Sequence, residues 1–422
     1  MGPSRRALHD GEGEIGAAGV LSNPGYRRLW LATGASNFGT MLHGLALGFL
    51  AIELFEATPR DLAVLNASTL LPSVVLGFAA AGWVDRLPRR ALMLAMDGAR
   101  AVVVAWVPLA AWWGVLSLWQ LYVVAALLGI MSFVFEAADH AILPAVVKKG
   151  ELVEANSKLR AAEAVTEGVA FGSGGWLVQV FGAPLVLLAD AVSYVASFFF
   201  LFGVKPRAGG EPSDEAVESE PVWREVVAGL QLIASNPILL TLTGCSALLA
   251  FSFRVIGPVY LPFVYTELGF EPGVLGMVWA VGGGTSLLGA LLCRRVTARL
   301  GAGPTMIGGA AFFGLSILVL PLAPGAGLVG IAVLVANQLG DGFEVLFDVN
   351  QKSARQTLTP GEMLGRVSGT VQVATAAAML LGVAMGGLLG ETLGVRPTLV
   401  FAGAMPLVAA AWMGLSRVRQ HG

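Results

Sequence analysis

The feature that most constrains this chain is a recurrence: about a dozen apolar runs, separated by connections that are alternately basic and nearly devoid of basic residues. A membrane-spanning helix needs about 20 predominantly apolar residues. Runs of that kind fall near 29–53, 61–83, 91–113, 115–138, 161–181, 184–204, 238–262, 272–293, 304–322, 327–349, 367–389 and 397–416. They are too long for strands and lack period-two alternation, so helices are predicted throughout. Only 13% of the residues are charged while 56% are hydrophobic, and a water-soluble surface uses about 25% charged residues. Lipid must therefore be the solvent over much of the surface. The 55 glycines and 21 prolines fit that setting, where Gly lets helices approach and neighbouring groups repair Pro breaks.

The basic residues test the count, because cytoplasmic loops carry the excess of Lys and Arg. One side of the frame receives 22 of the 26 basic residues, among them Arg27, Arg28, Arg86, Arg89, Arg90, Lys148, Lys149, Arg294, Arg295, Lys352, Arg366, Arg417 and Arg419. The other side receives Arg60 and Arg396, and Arg100 and Arg254 lie within spans. One helix too many or too few would scramble this alternation. Both termini are expected in the cytoplasm, and the membrane is expected to be the cytoplasmic (inner) membrane of a bacterium.

The chain divides into a polar N-terminal tail (1–28), a first bundle (29–204), a connection (205–237), a second bundle (238–416) and a short tail (417–422). The connection holds Gly209, Gly210, Pro212, Ser213 and acids from Glu211 to Glu220, the composition of a flexible linker. Its end, Trp223 to Ser235, places Val226, Val227, Leu230 and Ile233 on one face, which predicts a helix lying at the inner membrane surface. No cleavable leader is expected; the first span serves as its own insertion signal.

Several function classes are disfavoured. A net charge of −2 leaves no nucleic-acid footprint. Cys245 and Cys293 sit in apolar runs and read as small hydrophobes rather than a disulfide or metal pair. There is no GxxxxGK[ST], HExxH or GxSxG, and two of the four histidines, His9 and His421, are terminal. Neither a self-contained ATP-driven pump nor an enzyme is expected, and no cofactor or metal is implied.

The halves echo each other. Leu128–Asn156 aligns without gaps on Leu339–Val367, matching Leu128-Gly129 to Leu339-Gly340 and Gly150-Glu151-Leu152 to Gly361-Glu362-Met363. Asp85-Arg86-Leu87 after span two is echoed by Ala298-Arg299-Leu300 after span eight. Such parallel duplications hold their substrate between the two halves, near the bilayer midplane. The fold class predicted is an all-α membrane protein of about 12 transmembrane helices in two pseudo-symmetric six-helix bundles.

Two loops carry a resemblance to the major facilitator superfamily. The first is Gly82-Trp83-Val84-Asp85-Arg86-Leu87-Pro88-Arg89-Arg90 between spans two and three. It keeps the Asp, the basic residue after it and the closing basic pair; its first Gly is displaced by one position, and Pro88 replaces the second Gly. The other is Pro360-Gly361-Glu362-Met363-Leu364-Gly365-Arg366-Val367 before span eleven. That loop, Asn156 and Asn236-Pro237 resemble the drug-efflux and siderophore-exporter-like branch. The resemblance implies alternating access by rocking of two bundles. It also implies a gating set, Asp85, Arg86, Arg89, Arg90 and Arg366, in which Asp85 faces the positive N-terminus of span eleven. A carboxylate there gains about 0.3–1 kcal/mol, more when partly buried.

Ionisable side chains inside spans are costly and mark functional candidates by default. Asp97 and Arg100 share a face of span three. Glu136 and Asp139 end span four, and Glu163 and Glu167 begin span five. These six are expected to form a charge network on the cytoplasmic side, serving structure or gating, with proton or substrate binding as the other reading. On span ten, Asn337, Asp341, Glu344 and Asp348 form one helical stripe that must face protein or a watery cavity. The resemblance places spans one, four, seven and ten around the central cavity. Asn37, His43, Arg254, Asn337, Asp341 and Glu344 are therefore the candidates for substrate contact or proton coupling. His43 lies roughly 20 Å along its span by helix rise; a lone buried His is more often a hydrogen-bonded packing residue, and proton coupling is its other reading. Arg254 reads equally as half of a structural pair; Asp190 on span six lies at similar depth.

The expected activity is secondary active transport: proton-coupled efflux, as an antiporter, of a small amphipathic or apolar molecule, by a monomer in the lipid bilayer. The alternatives are an ion-coupled importer of a small solute and a non-transporting membrane sensor or scaffold.

Overall fold

In a computed structural model, the structure describes residues 19–79, 87–204 and 222–420. Asp85, Arg86 and most of the linker lie outside the described residues. Six helices form the first half: α1 (Pro24–Phe55), α2 (Pro59–Ala79), α3 (Arg89–Trp112), α4 (Leu118–Val146), α5 (Leu152–Phe181) and α6 (Ala183–Phe202). A linker helix, α7 (Val222–Ser235), precedes the second half: α8 (Pro237–Leu261), α9 (Pro272–Leu300), α10 (Ala302–Val319), α11 (Leu328–Leu358), α12 (Leu364–Thr392) and α13 (Val395–Leu415). The protein is an all-α membrane protein built as two pseudo-symmetric six-helix bundles.

Among the described residues, ten helices are individually long and apolar enough to cross a membrane. The transmembrane helices α2 and α5 fall outside that set. The described part of α2 carries Arg60 and Asp61 in its first turn, and α5 carries Lys158, Arg160, Glu163 and Glu167. Several helices outrun the lipid-length spans at the end bearing the basic loops. There α5 starts nine residues before position 161, and α9 and α11 continue through Arg294, Arg295, Lys352 and Arg355. Helical hydrogen bonding continues into the headgroup zone, whereas a hydropathy window stops at the first charges.

The same local chemistry starts each half. Asn23 caps α1, its Oδ1 accepting from the Gly25 and Tyr26 amides with Pro24 in the first turn. Asn236 caps α8 in the same way, accepting from Ile238 and Leu239 beside Pro237. These caps satisfy orphan amides and Pro is pre-set for the first turn. The packing repeats too. In the first half α1 packs on α5 and α6, α3 on α4 and α6, and α2 on α4. In the second half the counterparts recur: α8 on α12 and α13, α10 on α11 and α13, and α9 on α11.

The halves meet along two seams, α2 with α12 and α5 with α9. Both are tight at the end away from the basic loops. A Cβ on Gly175 would come within 2.0 Å of the Pro272 carbonyl oxygen, and one on Gly387 within 2.4 Å of the Ala63 Cβ. Toward the basic end the seams part: Gly168 on α5, Gly283 and Gly284 on α9, and Gly365 and Gly369 on α12 all face open space. Polar contacts join the halves at the closed end. The Tyr265 hydroxyl donates to Glu53 Oε1 (3.1 Å), Gln179 Nε2 donates to Glu271 Oε2 (2.7 Å), and Gln179 Oε1 accepts from the Gly273 amide (2.9 Å). Phe171 of α5 and Trp279 of α9 stack edge-on at 6.3 Å. Trp279 thus belongs to the seam, unlike Trp112, Trp113 and Trp119, which stand exposed at a helix end as belt residues do.

Helix α7 docks on the start of α12. Ile233 is buried against Val367 and Val371, and the Thr370 hydroxyl lies 3.0 Å from the Val226 carbonyl oxygen. Val227 and Leu230 remain exposed.

Candidate functional site

The structure divides the six residues of the expected charge network into two groups. Glu136, Asp139, Glu163 and Glu167 line one cavity of about 280 Å³ with Asn37, Met41, Phe135, Arg160 and Thr166. It lies between α1, α4 and α5, toward the basic end. Arg160 pairs with Glu163 (2.9 Å), and Thr33 Oγ1 donates to Asp139 Oδ1 (3.0 Å). Four carboxylates and one guanidinium give the cavity an acidic lining.

Asp97 and Arg100 lie behind the wall of that cavity. Asp97 is fully buried and Arg100 is 2% exposed; the two form a short charge-assisted hydrogen bond. Ser197 Oγ of α6 donates to Asp97 Oδ2 (2.6 Å). The guanidinium sits over the rings of Phe135 (4.1 Å) and Tyr194 (4.5 Å), contacts that attract a desolvated cation. Phe135 therefore borders the cavity while its ring covers Arg100.

His43 belongs to this second group. Its Nδ1 is 3.7 Å from Asp190 Oδ2, and Asp190 is fully buried. Asp190 faces His43 rather than Arg254, and Arg100 acts on it electrostatically. Gly39 makes the approach possible: a Cβ there would come within 2.2 Å of Asp190 Oδ1 and 1.9 Å of Ser193 Oγ. One residue on, Thr40 Oγ1 lies 3.0 Å from the Tyr194 hydroxyl. Asp190 was the member missing from the candidates read in the sequence. Its signal was plain, a lone carboxylate in the apolar span 184–204, but the sequence offers no partner for it.

The second half differs. Asn337 Nδ2 donates to the Ser316 carbonyl (3.2 Å), and its Oδ1 accepts from Gln338 Nε2 (3.2 Å). Asp348 pairs with Lys352 (2.6 Å). Between them, Asp341 and Glu344 have no hydrogen-bond or ion-pair partner among the described residues. Asp341 lies against Gly282 of α9, where a Cβ would come within 2.5 Å of Oδ2. It is within electrostatic reach of Tyr260, whose ring neighbours Trp279 at 6.1 Å. Arg254 on α8 also has no carboxylate within ion-pair distance among the described residues; its guanidinium is 6.0 Å from the Phe253 ring.

Of the expected gating residues, Arg89 and Arg90 tie helix ends within the first half. Arg89 Nη1 donates to the Ala141 carbonyl (2.8 Å); Arg90 donates to the carbonyls of Leu201 (3.1 Å, from Nε) and Phe202. Arg28 adds a bond to the Gly203 carbonyl (2.5 Å). Cations beside exposed carbonyls at a helix C-terminus are favourable. Arg366 lies in the first turn of α12, its carbonyl accepting from Thr370 and its Nη1 3.9 Å from Met363 Sδ.

Two pseudo-symmetric six-helix bundles closed on each other at one end are the architecture of a transporter of the major facilitator superfamily. The family described as transmembrane secretion effector matches residues 15–422, and the chain belongs to that family. It is 28% identical over 376 residues to the MFS-type transporter YfiS of Bacillus subtilis (strain 168), covering 88% of each chain. It is 26% identical over 400 residues to the multidrug efflux pump Tap of Mycolicibacterium fortuitum, covering 92% of this chain and 94% of that one. In fold it matches a bacterial homologue of the iron transporter ferroportin in its inward-facing state, with a TM-score of 0.74 at 18% identity over 94% of this chain and 98% of that one.

Proposed function

We propose that this transporter exports a small amphipathic molecule from the bacterial cytoplasm in exchange for protons, by alternating access. The observation that carries the coupling is the pair Asp341 and Glu344, two acids within a span with no basic group at ion-pair distance among the described residues; the electrostatic influence of that sign on Glu344 comes from Lys352, which is paired with Asp348. A carboxylate so placed is costly when charged, and protonation removes the cost. With the basic loops read as cytoplasmic, the tight ends of both seams face the exterior, which supports reading this conformation as inward-open. The acidic cavity of Glu136, Asp139, Glu163 and Glu167 then faces the cytoplasm, and its charge favours cationic amphipaths. The efflux activity named for Tap supports the direction. In this scheme residues 205–237 connect the two bundles, and Asp85 with Arg366 helps to latch the cytoplasmic end in the opposite state.

The test is transport of ethidium, a cationic dye, into proteoliposomes under an imposed pH gradient. Gradient-dependent accumulation is expected for the native protein and a loss of at least tenfold for Asp341→Asn/Glu344→Gln. Unchanged accumulation in the double variant would remove these acids from coupling.

A further inference from the structure

The buried cluster in the first half has a charge balance that the structure leaves one proton short. Asp97 and Asp190 are both fully buried, and one guanidinium, Arg100, serves the two of them. With His43 neutral and both carboxylates ionised, the cluster carries a net negative charge inside the membrane, which is expensive. One added proton restores neutrality. The atoms placed to take it are His43 Nδ1 and Asp190 Oδ2, 3.7 Å apart, both buried and both without a hydrogen-bond partner among the described residues. Asp97, by contrast, already accepts from Arg100 and Ser197.

We propose that His43 and Asp190 together form a proton-carrying site, holding one exchangeable proton that is loaded from the acidic cavity past Phe135. The proposal deepens the proton-coupled reading above and rests on it for its role in transport.

Three further observations give the pair a reason to matter. The first is access. Phe135 both lines the cavity and covers Arg100 at 4.1 Å, so one residue borders both the cluster and the polar space. The second is packing. Gly39 brings the α1 backbone hard against Asp190 and Ser193. Loading or losing a proton there changes the forces on α1 itself. The third is position. Leu42 and Leu45, flanking His43, pack on Gly174 of α5, and the next residue, Gly175, forms the seam with Pro272 and Gly276 of α9. The site is thus one helix away from the contact that must open for the exterior to be reached.

The groups that face the pair are countable. From α3 come Asp97 and Arg100; from α6, Asp190 itself, Ser193 and Tyr194; from α1, Thr40. From α4 comes the uncharged ring of Phe135, and from α5 the glycine–leucine contact at Gly174. Asp139, the carboxylate on the inner part of α4, is engaged by Thr33, about three turns before His43 on α1.

The experiment is infrared titration of the purified native protein in nanodiscs, following the protonated-carboxyl stretch against pH. The same titration is run on Asp190→Asn, His43→Gln, Phe135→Ala and Asp341→Asn/Glu344→Gln. The expected result is a native carboxyl band that Asp190→Asn removes and that persists in the double variant. Its midpoint should shift by at least one pH unit in His43→Gln, because the neighbour sharing the proton is gone. Phe135→Ala should leave the midpoint in place and speed the response to a pH jump by tenfold or more. A native-like spectrum in Asp190→Asn overturns the proposal. If that variant does not fold, an unmoved midpoint in His43→Gln overturns it equally. Failure of the wider reading looks different: no gradient-driven ethidium transport by the native protein, with the Asp190 band intact. That outcome refutes proton-coupled efflux while supporting the protonation site.

Discussion

Aligning the two halves on their shared caps compares their interiors residue by residue. Asn23 and Asn236, the caps of α1 and α8, are 213 positions apart, as are Pro88 and Gly301 before α3 and α10; Gly182 and Gly394 before α6 and α13 are 212 apart. On that register Gly39 corresponds to Ser252, Asp97 to Ala310, Arg100 to Phe313 and Asp190 to Ala402. Where the first half buries an ion cluster, the second has an apolar core: Ala310, Phe313 and Ala402 are all buried. Even the contact survives in altered form, since the Ser252 hydroxyl donates to the Ala402 carbonyl (2.8 Å) where Gly39 gives way to Asp190. The trade runs the other way between α4 and α11. On the 211-residue offset of the internal repeat, Asp341 and Glu344 correspond to Ile130 and Phe133. One skeleton therefore carries two charge plans. The first half encloses its ions among one another, and the second leaves Asp341, Glu344 and Arg254 without an opposite charge at ion-pair distance among the described residues.

The sharpest way to break this comparison is to remove one cation from each half. Arg100→Leu strands Asp97 and Asp190 in a buried, desolvated site, and losing one partner of such an arrangement costs about 3–5 kcal/mol. Arg254→Leu removes a cation with no carboxylate at ion-pair distance among the described residues, so stability is expected to stay within about 1 kcal/mol of native or to rise. Thermal unfolding in the same detergent measures both. Equal losses would mean that Arg254 is as structurally committed as Arg100, and the contrast between the halves would disappear.

A smaller effect comes from exchanging the residues at the equivalent position. Gly39→Ser places a side chain where Asp190 Oδ1 and Ser193 Oγ already stand. Overpacking of that kind costs about 1–3 kcal/mol, and here it also pushes α1 off the ion cluster. The reverse change, Ser252→Gly, gives up one hydrogen bond to Ala402, worth about 0.5–1.5 kcal/mol, plus the intrinsic helix cost of Gly, about 1 kcal/mol. A tolerated Gly39→Ser would show that the α1–α6 contact is loose, and the close approach would lose its significance.

These residues also mark how far the sequence could be read. The architecture was legible because hydropathy and basic-loop alternation act over whole segments, and twelve spans leave a strong periodic trace. The ends of α5, α9 and α11 were not, because helices persist into the polar headgroup zone past the last apolar residue. Each ionisable residue within a span could be picked out singly, including His43 and Arg100. Their partners could not. Asp97 and Arg100 are neighbours in sequence and were legible as a pair, but Ser197 and Asp190 join them from α6 through the α1–α3–α6 packing. Phe135 and Glu136 are adjacent in the chain and both line the cavity, but only Phe135 also touches Arg100, so the expected single network of six divided at that point. The tight end of the two seams left little trace in the sequence: its closest approaches are made by Gly175 against the Pro272 carbonyl and Gly387 against Ala63, and the meaning of those glycines exists only once two helices are brought together.

The finest test concerns the caps that define the comparison. Both asparagines accept two amide hydrogen bonds, so loss of either side chain should cost about 1 kcal/mol. Asn23 does one thing more: its Nδ2 donates to the Val146 carbonyl at the end of α4 (3.1 Å), adding about 0.5–1.5 kcal/mol. Asn23→Ala should therefore destabilise the protein more than Asn236→Ala by roughly that second amount. Aspartate separates the two roles. It keeps the accepting oxygen and interacts favourably with the helix N-terminus, so Asn236→Asp should be neutral or slightly stabilising. Asn23→Asp cannot donate and sets a carboxylate against the Val146 oxygen, so it should be destabilising despite the better cap. If the two aspartate variants behave alike in thermal unfolding, the tie from α1 to α4 carries no weight. The halves would then begin identically and diverge only at their buried charges.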